Sequence, residues 1–261
     1  MKNGIKRALW RWGAGGAGLF LAAGAAPALA LADQTWIAGE GYDSGTCASY
    51  QPCATLAFAQ TQTAPGGTIN IIDSANYGPL VITKALTIRS ELGTAAVTTS
   101  IRIAAAATDK IMLLGLDLEG IHAGTAYPYG VKIEQAREVL IQNCRIKNYT
   151  GDPTNGAAVY IVNSGATRVT VDSSTLFNNT MGVIVSNAPG GGGHLKLYRS
   201  LLLANPTAGV RVTAAGNDAL LVGNIILGSA KALDIWPGGA ATSYGDNVLT
   251  SGDAPTLMSK N

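Results

Sequence analysis

Asp117 and Glu119, two residues apart and followed by His122, make the best local acid–base cluster in the chain. In an extended segment, residues i and i+2 point to the same side. A proton donor, a proton acceptor and an imidazole could then serve one substrate. The competing reading is a solvated strand end leading into a turn. The other acidic residues, among them Glu134, Asp152, Asp172, Asp218 and Asp234, are scattered. Calcium needs several converging oxygens, so no metal site is expected. His194 follows the run Gly190 to Gly193, which lacks the Lys-Ser/Thr of a phosphate loop and reads as a pliable turn.

Cysteine chemistry is confined to three residues. Cys47 and Cys53 lie six apart in a polar segment, and a disulfide is expected if the chain reaches an oxidising compartment. Two free thiols or a metal pair are the alternatives, the latter with no His or further Cys nearby. Cys144 reads as a small core residue rather than a nucleophile. The sequons at Asn148 and Asn178 matter only in a glycosylating host.

These residues sit in a repeat of 23 to 30 residues. One strand type recurs at Val131–Glu134, Val159–Val162, Val183–Ser186, Val210–Thr213 and Leu233–Trp236, with Gly130, Gly182 and Gly209 each just before it. A second starts at Ile111, Val139, Val169, Leu195 and Leu220. Short strands at such a period mean a solenoid, in which stacked coils bury ladders that no single coil could bury. The fold class expected is all-β: a single-stranded right-handed parallel β-helix with a short N-terminal helical cap. Coils rise about 4.8 Å each, and about eight would make a rod near 40 Å long.

Alternation assigns faces. Val131, Val159, Val183, Val210 and Leu233 form one interior ladder, and Ile133, Ile161, Val185, Val212 and Ile235 the next. Leu116, Cys144, Ser174, Ser200 and Ile225 are expected as a third. Asn178, Asn179 and Asn205 fall at turns, where Asn tolerates left-handed backbone. Outward positions of the first strand type carry Lys132, Glu134, Tyr160, Arg211, Asp234 and Trp236. Rings that stack on sugar C–H faces, beside groups that bond hydroxyls, suit a carbohydrate-binding sheet; an ordinary mixed surface is the alternative. A second outward row, Met112, Leu114, Leu140, Leu201, Leu221 and Ile226, is apolar and suggests a homo-oligomer, a surface partner or the C-terminal tail as its cover. Leu56, Phe58 and Ala59 have helical spacing and would plug the N-terminal end until Pro65-Gly66-Gly67 stops the helix.

The chain begins with a basic region (Lys2, Lys6, Arg7, Arg11), an apolar run from Gly13 to Ala26, and Ala30-Leu31-Ala32 as an A-x-A site. That is the pattern of a signal peptide over residues 1–32; an uncleaved anchor is the alternative, poorly served by so short a Gly/Ala run. Removing 32 of 261 residues leaves 229, divided into an N-terminal segment (33–66), the β-helix (67–250) and a tail (251–261). The leader holds four of eighteen basic residues and no acidic ones, so the remainder has fourteen against sixteen, a net −2. A nucleic-acid surface is excluded on that charge, and no second apolar run suggests a transmembrane segment. The expected location is outside the cytoplasm: secreted, cell-surface or periplasmic.

The runs Pro52-Cys53-Ala54-Thr55-Leu56, Pro65–Ile71 and Tyr77–Ile88 resemble the opening of right-handed β-helices of the pectin-lyase-like superfamily. With Thr35-Trp36 and the Cys pair, they most resemble small uncharacterised bacterial secreted members. The resemblance implies the fold and leaves activity open, because that superfamily hosts lyases, hydrolases, esterases and adhesins. A pectate-lyase-like enzyme would need Ca2+ with acidic ligands and a basic residue. A polygalacturonase-like one would share Arg145-Ile146-Lys147, but its Asn-Thr-Asp, Asp-Asp and Gly-His-Gly motifs are missing, as is the esterase Gly-Arg-Pro-Trp run. The functional expectation is a non-catalytic module binding a polysaccharide or a partner. The alternatives are a polysaccharide-active enzyme and a structural subunit of a surface assembly.

Overall fold

The computed structural model describes residues 30–90, 97–98, 100–122, 124–152, 156–163, 165–187 and 191–258. The expected signal peptide falls almost wholly outside them. Leu31–Asn261 is one compact unit. It is a parallel β-solenoid of about six turns, fewer than the eight expected. Three sheets run along it, of ten, seven and seven strands. The first holds Lys110–Leu114, Glu138–Gln142, Ala166–Asp172, Gly192–Tyr198 and Asp218–Val222 in that order. The second holds Ile101–Ala104, Tyr129–Gln135, Ala157–Asn163, Met181–Asn187, Ala208–Val212 and Lys231–Ile235. The third holds three-residue strands such as Asp117–Glu119, Arg145–Lys147, Thr175–Phe177, Leu201–Leu203 and Ile225–Leu227.

The two ladders beginning at Val131 and Ile133 are interior and in register, as the alternation requires. Third-sheet strands stay short because corners turn through left-handed backbone on both flanks, at Asn143, Ser173 and Arg199 on one side and Asn148, Asn178 and Ala204 on the other. Cys144, Ser174 and Ser200 stack inside one corner, but the next member is Asn224, not Ile225. The Ser200 amide donates to Asn224 Oδ1 at 2.9 Å, which pairs Leu201 with Ile225 and turns Ile225 outward, 43% exposed. Likewise Leu195 pairs with Ala219, so Leu221 and Ile226 are buried. The expected apolar row is therefore wrong at those two positions. In Ala219–Val222 and Ile225–Leu227 both phases of the alternation are apolar, so pattern alone could not set the register.

At the N-terminal end, Ala32–Ile37 already pairs parallel with Thr63–Ile71. Cys47 and Cys53 are joined in a disulfide. Helix Leu56–Gln62 follows; Thr55 Oγ1 caps it by accepting from the Phe58 amide at 3.1 Å. Leu56 and Ala59 are buried and Phe58 half-buried. Pro65-Gly66-Gly67 does not stop this helix but lies within the strand Thr63–Ile71. The break comes earlier, where the Thr63 hydroxyl donates to the Ala59 carbonyl at 2.7 Å. At the other end, Gly252 bridges Leu233 and Thr256 pairs with Thr242, so the described tail adds to the last coil. Among the described residues, no helix is long and apolar enough to cross a membrane.

Candidate functional site

Asp117 and Glu119 share the outer side of one third-sheet strand, and the next coil places Arg145 and Lys147 beside them in register. Asp117 is 4% exposed rather than solvated. It accepts from Arg145 Nε at 3.0 Å and from Lys147 Nζ at 3.1 and 3.2 Å, and Arg145 Nη2 contacts it too. Glu119 Oε1 accepts from the Asn148 amide group at 2.8 Å and the Ile121 N–H at 3.1 Å. Bonds of this kind tie neighbouring coils together; among the described residues Glu119 Oε2 keeps only the Lys147 ammonium, at 3.7 Å. His122 lies in the strand Ile121–His122; its side chain is outside the described residues. Sequence reasoning missed Arg145 and Lys147 as partners, although writing the chain at its 28-residue spacing aligns both pairs. Between them Ile146 is interior, as expected.

His194 stands at the start of a strand that includes Gly192 and Gly193, so these two glycines are ladder residues, not a pliable turn. His194 Nδ1 contacts Asp218. Cys144 is buried, and burial pushes its thiol up to about 12, which leaves it a core residue without thiolate character. Among the described residues no three His, Cys, Asp or Glu side chains converge. A Ca2+ ion of the lyase type has no acidic cage among them.

The second sheet brings the remaining candidates together. Arg102, Lys132, Tyr160, Ile184, Arg211 and Asp234 follow one another across six adjacent strands, all on the outer face. At one end, Glu134 bridges Arg102 at 2.7 Å and Lys132 at 2.9 Å. The Lys132 ammonium lies 5.4 Å from the centre of the Tyr129 ring, whose own centre is 6.4 Å from that of Tyr160 at 56°. Tyr129 was not foreseen, because it stands just before Gly130, ahead of the alternating positions. In the middle, Ala157, Met181, Ile184 and Ala208 make a buried apolar patch with Tyr160 packed against it.

At the other end, Asp234 accepts from Arg211 Nε at 2.7 Å, from Lys231 Nζ at 2.8 Å and from the Trp236 indole N–H at 3.2 Å. The Arg211 guanidinium sits 5.1 Å from the Trp236 ring centre, and Trp236 remains 48% exposed. Two aromatic–cation pairs thus stand about three coils, or roughly 14 Å, apart on one sheet.

Burial alone would raise the Asp234 carboxyl, but hydrogen bonds from Lys231, Arg211 and Trp236 outweigh it and hold the group below the usual carboxylate range. A carboxylate held low in the folded state adds stability above its unfolded value of about 3.9, and that stability is lost as pH falls through the folded value. Unfolding followed by denaturant should therefore show a stability that drops on acidification below about pH 4. Asp234→Asn should start lower at neutral pH and drop less. An unchanged acid limb in that variant would rule out this role.

No family model matches the chain, and no curated protein or solved structure is significantly similar to it.

Proposed function

We propose that this chain is an exported, non-catalytic β-helix module of the pectin-lyase-like type, which binds an extended glycan along the outer face of its second sheet. The basic, apolar and A-x-A pattern of residues 1–32 supports export. The observation that carries the binding reading is the spacing of the two aromatic–cation pairs, Lys132–Tyr129 with Tyr160, and Arg211–Trp236, along one sheet. A glycan lying along the solenoid axis presents sugar C–H faces to the rings and hydroxyls to Glu134, Arg211 and Lys231. The ion pairs hold these side chains in place before a ligand arrives, which lowers the ordering cost of binding.

The test is binding of the purified protein to a panel of neutral and acidic polysaccharides, read by glycan array and by Trp236 emission. Tyr160→Ala and Trp236→Ala should each weaken binding between about twofold and about tenfold. Absence of binding across the panel would refute the reading. Release of unsaturated or reducing ends, with or without Ca2+, would replace it by the enzymatic alternative.

A further inference from the structure

On the outer face of the first sheet, Met112, Leu140, Thr170 and Lys196 stand in register on four adjacent strands. They line the floor of an open cavity of about 340 Å3, with Lys110, Glu138 and Arg168 along one edge. That size falls at the lower end of small-ligand pockets. The cavity has direction. Its floor is apolar at Met112 and Leu140 and polar at Thr170 and Lys196, the last about 14 Å along the axis from Met112.

Charge is equally uneven. Glu138 is the single acid in the lining, and it is bridged by Lys110 at 2.9 Å and Arg168 at 3.6 Å. Lys196 is exposed and makes no ion pair among the described residues. Three cations against one carboxylate make this a positive spot on a chain whose expected mature form is net negative.

We infer that this cavity is a binding site for a single-chain anionic amphiphile, its acidic head against Lys196, Thr170 and Arg168 and its apolar tail over Leu140 and Met112. A purely polar anion would leave the apolar half of the floor wet, and a neutral chain would leave Lys196 without a counter-charge. The inference does not depend on glycan binding, which uses a different sheet.

The probe is dodecanoate below its micelle concentration, titrated into the full chain carrying 13C-methyl methionine. The chain has four methionines, Met1, Met112, Met181 and Met258. Met112 lies in the cavity, and buried Met181 reports whether the fold is intact. A saturable shift of the Met112 methyl, with Met181 unmoved, is expected. Lys196→Gln should weaken the dodecanoate affinity about tenfold, and Leu140→Asn should weaken it as well. A silent Met112, or an unchanged affinity in Lys196→Gln, overturns the proposal. An equal response to dodecanol would show that charge plays no part and also overturns it. An equal response to galacturonate would assign the cavity to acidic sugars instead.

Discussion

Replacing Asn179 by leucine is expected to lower the unfolding free energy by about 2–5 kcal/mol. Asn179 is fully buried at the corner before the second sheet, and its side chain is engaged on every side. Its Oδ1 accepts from the Tyr149 N–H at 3.1 Å; its Nδ2 donates to the Ile146 carbonyl at 3.2 Å and to Asn205 Oδ1 at 3.0 Å. Asn205 repeats the arrangement one coil on, accepting from the Asn179 N–H at 3.1 Å and donating to the Leu176 carbonyl at 3.0 Å. Leucine has the heavy-atom count and branching of asparagine but is bulkier and can neither accept nor donate. The Tyr149 amide and the Ile146 carbonyl would lose this partner in a place water does not reach, and each such loss costs about 1–3 kcal/mol. Against a total of about 5–15 kcal/mol this is a large fraction, with a fall in Tm on the order of 10 °C for a domain of this size. Urea unfolding checks it, and a loss below about 1 kcal/mol would show that the corner tolerates unpaired groups.

The second large effect is expected from Gly209→Ala, at about 3 kcal/mol or more of destabilisation. A Cβ on Gly209 would stand 2.2 Å from Ile226 Cγ2 and 2.6 Å from the Ala232 carbonyl oxygen. The side chain could yield; the carbonyl belongs to the next strand of the same sheet and is fixed by its ladder. The crowding arises because positions 209 and 210 are buried in succession, which brings the corner backbone down onto the third sheet. Adding Ile226→Ala removes one of the two clashes. The double variant should therefore cost clearly less than the sum of the single ones, a coupling that a thermodynamic cycle measures directly. Strict additivity would mean that the two residues do not meet as described.

Much of this molecule is legible in its residues. The Val131 and Ile133 ladders, the inward Cys144 and the capping role of Leu56 and Ala59 follow from periods of two, of 3.6 and of one coil, and the Cys47–Cys53 bond from the closeness of two cysteines in the chain. The outward row from Lys132 to Asp234 follows from the same alternation. The pattern failed where it was degenerate. Leu220-Leu221-Val222 and Ile225-Ile226-Leu227 satisfy either phase, and the choice was made by a hydrogen bond from Ser200 to Asn224 that no periodicity encodes. Asn179 and Asn205, expected as left-handed turn residues, are instead buried ladder members, while Asn178 takes the left-handed position.

The candidate sites divide in the same way. Residue type and spacing determine that the chain stacks coils and, where only one phase of the alternation is apolar, which side chains face out, because burial acts locally on each alternating pair. Only the tertiary structure decides which outward side chains meet across coils. It set Asp117 against both Arg145 and Lys147. It brought Tyr129 to Tyr160 and Arg211 to Trp236, and it opened a cavity between Met112 and Lys196. From one coil to the next these neighbours lie 25 to 31 residues apart in the chain, with varying turn lengths between them. Their contact depends on the register of stacked coils, a sum over turns that no single segment contains.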